Sequence, residues 1–223
     1  MPEQTPDPGK QAAETAGKAP KGGRARKLDP AERKQAILDA ALHEFAERGF
    51  EAARLDDVAA RCGVAKGTLY LYFNDKESLF EEVVRGAALP VLEHVRALAG
   101  RPDLSFEQGL SALYAIFEKE ILGTPRKLLI RLIIAEGPRF PRIAQFYFEN
   151  VIAQVLPVLR ALAERAVERG ELADDAIARY PQLIAAPLLT AVIWDSLFSK
   201  LQPLDVEGFL RAHRELLTGR PPS

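Results

Sequence analysis

A lysine, a glycine and a threonine stand together at Lys66-Gly67-Thr68, followed by Tyr70, Tyr72 and then Lys76. None of them forms a nucleophile–base pair or a metal-ligand set. They are hydrogen-bond donors, grouped around a glycine whose lack of a side chain lets another backbone come close. Such donors suit phosphate oxygens and base edges. Tyr70 and Tyr72 lie two apart, so on a helix they point in different directions and cannot both be core. Lys76 falls in a first helical turn, where a cation opposes the helix dipole by about 0.3–1 kcal/mol. A phosphate held jointly by that lysine and the helix N-terminus would offset the penalty.

The elements that must position these groups are short helices. Asp29-Pro30-Ala31-Glu32 combines a cap, a first-turn proline and a capping-box partner. Ile37, Leu38, Ala41 and Phe45 then recur at helical spacing, and Gly49 is a natural stop, which predicts a helix over 30–48. Leu55, Val58, Ala59 and Cys62 share one face of a second helix over 55–62, which Gly63 ends and Val64 plugs. A third helix runs from 66 to about 72, with Leu69 and Phe73 facing inward. Two short helices joined by such a turn are a helix-turn-helix. A fourth helix, capped by Asn74 with Glu77 at the reciprocal position, carries Leu79, Phe80, Val83 and Val84. It runs past Pro90 to about 98.

Helical patterning continues to the end. Helices are expected over 103–122, from Thr124-Pro125 through the apolar 128–134, over 140–169, from Asp174 or Asp175 to about 200 with a kink at Pro187, and from Asp205 to about 217. The 128–134 segment is apolar nearly all round, interrupted by Arg131, and is expected to be central and buried. Arg131 and Glu136 read as members of structural salt bridges. No segment alternates with period two, so the fold class is all-α. Three units follow: a disordered basic tail (1–28), a helix-turn-helix unit suited to DNA (29–74) and a larger helical unit (75–219). The tail's basic end, Lys21 to Lys27, reads either as a solubilising segment or as an arm adding phosphate or minor-groove contacts.

Composition narrows the class. The chain has 223 residues, 48 % hydrophobic and 27 % charged, with a formal net charge of −1. No broad basic face is available, and residues 28–80 carry more acids than bases. Affinity for DNA would therefore rest on a few placed contacts and on dimerisation. One cysteine, Cys62, suits a reducing cytoplasm. The polar, Pro-rich N-terminus is no signal peptide, and the longest uncharged run, Tyr180 to Trp194, is too short to span a bilayer. Cys62 has no histidine near it, and His43, His94 and His213 lack metal-ligand spacing. The reading is therefore no enzyme, no metal and no cofactor.

Gly63 to Phe73, followed by Lys76-Glu77-x-Leu79, resembles the signature of the TetR family of bacterial regulators. Ala41-x-x-x-Phe45-x-x-x-Gly49-Phe50 and Asp57-Val58-Ala59 resemble it too. The resemblance covers about residues 33–80. It implies an all-helical homodimer in which the first three helices bind operator DNA and the rest hold a ligand pocket and the dimer interface. By that resemblance Lys66, Gly67, Thr68, Tyr70, Tyr72 and Lys76 are DNA contacts. The family's usual Ser or Thr before the second helix is replaced by Arg54-Leu55, so the cap is lost, although Arg54 can itself meet a phosphate. Arg131 to Pro141, with Phe146-Tyr147, resembles the AcrR- and AefR-like branch, which implies a small hydrophobic effector.

Aromatic and apolar residues on helices expected to face one another give the ligand-binding candidates Tyr114, Phe117, Ile133, Phe140, Tyr147, Leu188 and Trp194. Helices over about 174–217 are the dimer candidates, with Leu189, Val192, Ile193, Leu197, Phe209 and Leu216 as surplus apolar surface. The functional expectation is a ligand-responsive DNA-binding repressor. The alternative is a helical small-molecule binder or dimeric adaptor that does not read DNA.

Overall fold

A computed structural model describes residues 29–219. The N-terminal stretch 1–28 lies outside the described residues, and so does the arm or tail expected there. Among the described residues every regular element is helical.

The first helix, α1 (Pro30–Ala52), starts with the expected capping box between Asp29 and Glu32. Its first straight stretch stops at 48, as expected. Gly49 takes φ 78°, which breaks the helix in place, and the chain resumes helical turns to Ala52. Helix α2 (Leu55–Cys62) closes on Gly63 in the left-handed conformation, and Val64 N–H donates to Ala59 O at 3.1 Å. Helix α3 covers only Lys66–Tyr70, shorter than expected. Tyr72 and Phe73 fall in the turn behind it, where their N–H groups both donate to Leu69 O. That early exit frees the chain to cap α4 (Lys76–Ala99). The cap is Asp75, with Ser78 as its reciprocal partner, rather than Asn74 with Glu77. Asp75 Oδ1 accepts from Ser78 N at 2.7 Å, which holds the Asp75 carboxyl below its usual range.

Helix α5 (Phe106–Phe117) begins at a Ser105 cap, three residues after the predicted start, and runs into a π-helical turn over Glu118–Leu122. Helix α6 (Lys127–Glu136) is followed by α7 (Pro141–Tyr147), a second π turn over Phe148–Ile152, and α8 (Ala153–Glu168). The stretch expected as one helix to about 200 is two: α9 (Ala176–Arg179) and α10 (Gln182–Leu197). Tyr180 precedes Pro181, whose ring disfavours helical geometry in the residue before it, and Tyr180 sits at φ −123°, ψ 68°. Helix α11 (Val206–Thr218) starts at the Asp205 cap and ends at Gly219.

Two principal cores result. The first joins α1, α2, α3 and the start of α4 to Leu129, Leu132 and Ile143 from α6 and α7. Within it Phe45, Phe50 and Phe80 interlock with ring centroids 5.5–5.9 Å apart. The second joins Val95 of α4 to α5, α8, α9, α10 and α11. Helix α4 belongs to both. Pro141–Glu168 is long and apolar enough to cross a bilayer by composition, but Leu159, Leu162, Ala163 and Ala166 of α8 are buried in the second core.

Helix α6 is less buried than its composition suggests. Only Leu129 and Leu132 are fully enclosed, Ile134 is half exposed, and Arg131 points to solvent. No ion pair joins Arg131 or Glu136 to another group among the described residues. Glu136 instead lies against the break in α1, where a side chain on Gly49 would come within 2.9 Å of its Oε1. Val192 is also not surplus surface: it is wholly buried, and Phe209 packs on the second core.

Candidate nucleic-acid interface and effector cavity

The helix-turn-helix is held from behind by charge and from within by Leu69, which is wholly buried. Arg61 of α2 reaches both Glu47 and the buried Glu44 of α1, the latter at 3.3 Å. Glu44 Oε1 also lies 2.6 Å from Arg48 Nε, paired in charge though not aligned as a hydrogen bond. These contacts tie α2 to α1 and leave the opposite side of α2 and α3 to solvent.

On that side the residues at the start of α3 are available. Gly67 is exposed, and no atom stands within 4 Å of where a Cβ would be. Tyr70 is 43 % exposed, with the Lys66 ammonium 5.8 Å from its ring centre. Lys66 Nζ is paired with Asp56 Oδ2 at 2.7 Å, and that hydrogen bond pushes the lysine pKa up. Thr68 is half-buried. Tyr72 is partly covered by Phe73, at 6.2 Å between ring centres. Lys76 is engaged differently: its Nζ donates to Glu51 O at 2.6 Å and sits 4.9 Å over the Phe50 ring, closing the C-terminus of α1. Arg54 is exposed and makes no capping bond, so α2 relies on Asp56 and Asp57 in its first turn to complement the helix dipole.

A cavity of about 180 Å³ lies in the C-terminal part. It is lined by α4 from Ala87 to Val95, by α5, α6 and α10, and by the Tyr147–Val155 stretch. Both π turns contribute, through Ile121 and through Val151 and Ile152. Such one-turn widenings of a helix are frequent at functional sites, since they re-aim side chains without ending the helix. The walls are apolar except for Tyr147 and Arg126. Burial pushes the Tyr147 phenol up to about 12, so it stays a neutral donor.

Residues 37–83 match the family described as "Bacterial regulatory proteins, tetR family", and residues 103–219 match the "Tetracyclin repressor-like, C-terminal domain". The chain belongs to the TetR family. Two relatives are the HTH-type transcriptional regulator SrpR of Pseudomonas putida, 25 % identical over 78 % of this chain and 80 % of its own, and the HTH-type transcriptional repressor BepR of Brucella suis, 29 % identical over 76 % and 81 %. Among solved structures, FadR of Bacillus subtilis in complex with stearoyl-CoA has the same fold. It aligns at TM-score 0.63 and 19 % identity, over 84 % of this chain and 99 % of that one. The chain is accordingly a DNA-binding, ligand-responsive transcriptional regulator with the TetR arrangement of an N-terminal helix-turn-helix and a C-terminal helical domain.

Of the residues expected to line a TetR effector pocket, Phe117, Tyr147 and Leu188 line the cavity. The other four do not. Tyr114 is buried beside it, but its hydroxyl is 2.7 Å from His213 Nδ1, a bond that ties α5 to α11. Burial raises the Tyr114 pKa and lowers that of His213. Ile133 and Phe140 pack on the first core, with Phe140 5.2 Å from Phe50. Trp194 turns outward, donating from Nε1 to Gln202 O at 2.7 Å and packing edge-on to Phe198. Sequence reasoning missed Arg126 as a lining residue. A pair of cations, Arg126-Lys127, directly ahead of an apolar helix was the available signal.

Proposed function

We propose that the protein is a homodimeric transcriptional repressor that a small hydrophobic effector releases from its operator. The observation that carries this reading is the span of α4. Its first residue, Lys76, touches the end of α1 beside the helix-turn-helix, while Ala88, Leu92 and Val95 in its second half line the cavity. An occupant of the cavity acts on α4 directly. In a dimer whose recognition helices enter successive major grooves, roughly 34–36 Å apart, a tilt of α4 changes that separation. The effector works only if it binds the two arrangements with different affinity.

Arg54, Lys66, Gly67, Thr68, Tyr70, Tyr72 and Lys76 are the proposed DNA contacts, with Lys66 exchanging Asp56 for a phosphate. Leu189, Ile193 and Leu197 form an exposed apolar row at i, i+4, i+8 on α10, and with Leu216 of α11 they supply the proposed dimer face. The repressor name of BepR and the long-chain ligand of the B. subtilis structure support repression and an apolar effector. The site of action is the cytoplasm, where the operator is.

The test is a gel shift of the full chain against its own upstream intergenic DNA. A shift at low salt is expected, weakened by Lys66→Ala and by Tyr70→Phe. A folded dimer that shifts nothing would sink the repressor reading and leave a small-molecule binder or adaptor.

A further inference from the structure

The cavity is not the only hollow that Arg126 borders. A second, of about 310 Å³, opens between α1, α4 and the turn before α6, with Gln35, His43, Gly86 and Thr124 among its walls. Ala87 and Arg126 line both. One hollow is almost wholly apolar and the other is mixed, and a guanidinium stands where they share a wall. Alone, the apolar cavity falls short of the roughly 300–1,000 Å³ usual for small-molecule sites, and the cleft lies directly beside it across Ala87 and Arg126.

Arg126 lacks a counter-ion among the described residues. Its Nη1 donates to the Glu120 carbonyl at 3.1 Å, and no ion pair reaches it among the described residues. Neither nearby carboxylate is ion-paired with Arg126, though Asp39 keeps its charge in the cleft. Glu120 pairs with His94 at 2.7 Å, and Asp39, which faces the cleft, accepts from Gln35 Nε2 at 2.9 Å. A partly buried guanidinium beside an apolar wall gains most from an anion that brings its own apolar part, because carboxylates match its planar fork.

We propose that the effector is a single-chain amphipathic carboxylate, its chain in the apolar cavity and its carboxylate on Arg126 at the cleft. This rests on the reading of the cavity as the effector site. The cleft's walls come from α1 and α4 on one side and from Thr124 to Arg126 on the other. A head group there sits between the DNA-binding helices and the C-terminal core, so it reports occupancy where the two meet.

The experiment is calorimetric titration of the full-length protein with decanoate, decanol and decyltrimethylammonium, which share one chain and differ in head charge. Decanoate should bind about tenfold tighter than decanol, the usual scale of a charge-assisted contact, and the cation should not bind measurably. Arg126→Gln should bring decanoate down to decanol and leave decanol unchanged, while Arg126→Lys keeps part of the preference. Equal binding of decanoate and decanol by the wild type would overturn the proposal. So would a preference that survives in Arg126→Gln, or no binding by either. Should Arg126→Gln fail to fold by circular dichroism, the wild-type comparison and Arg126→Lys decide. Gel shifts run in parallel separate the two readings. If decanoate binds through Arg126 yet leaves the operator complex intact, release by effector fails while this assignment stands. If the operator is bound and the head group makes no difference, this assignment fails while the repressor reading stands.

Discussion

Around α1, α2 and α3, three phenylalanine rings interlock within 5.9 Å of one another, and a buried glutamate is clamped by two arginines. Around α5, α6, α8 and α10, two helices widen into π turns and the side chains stop short of each other, leaving a hollow. Both regions are helical bundles sharing α4, so their difference is not one of fold class. It lies in how completely the side chains fill the space between helices. A region that must present donors at fixed positions to a rigid duplex gains from close packing. A region that must accept an apolar molecule gains from room, and some of its stabilising contacts wait for the ligand.

The sharpest way to break this contrast is to empty the packed side. Phe45→Ala should lower stability in urea by about 3–5 kcal/mol, since it opens a cavity among rings that cannot collapse. A loss below 1 kcal/mol would mean the N-terminal core is also loosely filled. Next comes adding volume to each side. Val58→Phe, in the packed region, should cost about 1–3 kcal/mol through overpacking. Val151→Phe projects into the hollow and should stay within about 1 kcal/mol of wild type while blocking decanoate in the titration. Similar losses from both would erase the distinction.

The smallest effect concerns pH. Burial lowers the His213 pKa from 6.5, so the folded protein resists a proton that the unfolded chain accepts. The stability this histidine contributes is complete above 6.5 and is lost as pH falls below that value towards the folded pKa. His213→Gln should flatten the stability profile in that window, measured by thermal unfolding. An unchanged slope would show that the Tyr114–His213 contact does not titrate.

The sequence was most informative where a side chain's role depends on near neighbours. The α1 capping box, the left-handed Gly63, the buried Leu69 and the Asp205 cap are local features, and the all-helical fold followed from periodicity alone. At the start of α4 the expected cap, Asn74, gave way to Asp75 one residue on, where the carboxylate meets the Ser78 N–H. Tyr180-Pro181 carried a break signal that the surrounding apolar run masked. The cavity lay beyond local reading, because five separated segments line it and neither π turn has a sequence mark. Phe140 and Trp194 illustrate the limit: both are large and apolar, yet one packs against Phe50 and the other against Phe198.

The contact between Lys66 and Asp56 has one further consequence. In the DNA contact proposed for Lys66, the protein carries an occupant for that lysine, so a DNA backbone would have to evict a carboxylate before gaining the ammonium. Random duplex, offering charge alone, gains little from the exchange. An operator that also satisfies the neighbouring donors gains the full set. Fewer mobile cations are liberated per contact than from a bare lysine, so affinity should fall with salt more gently than the number of phosphates touched would suggest. Under that proposal the carboxylate is a threshold against indiscriminate binding, set by one residue on the helix ahead of α3.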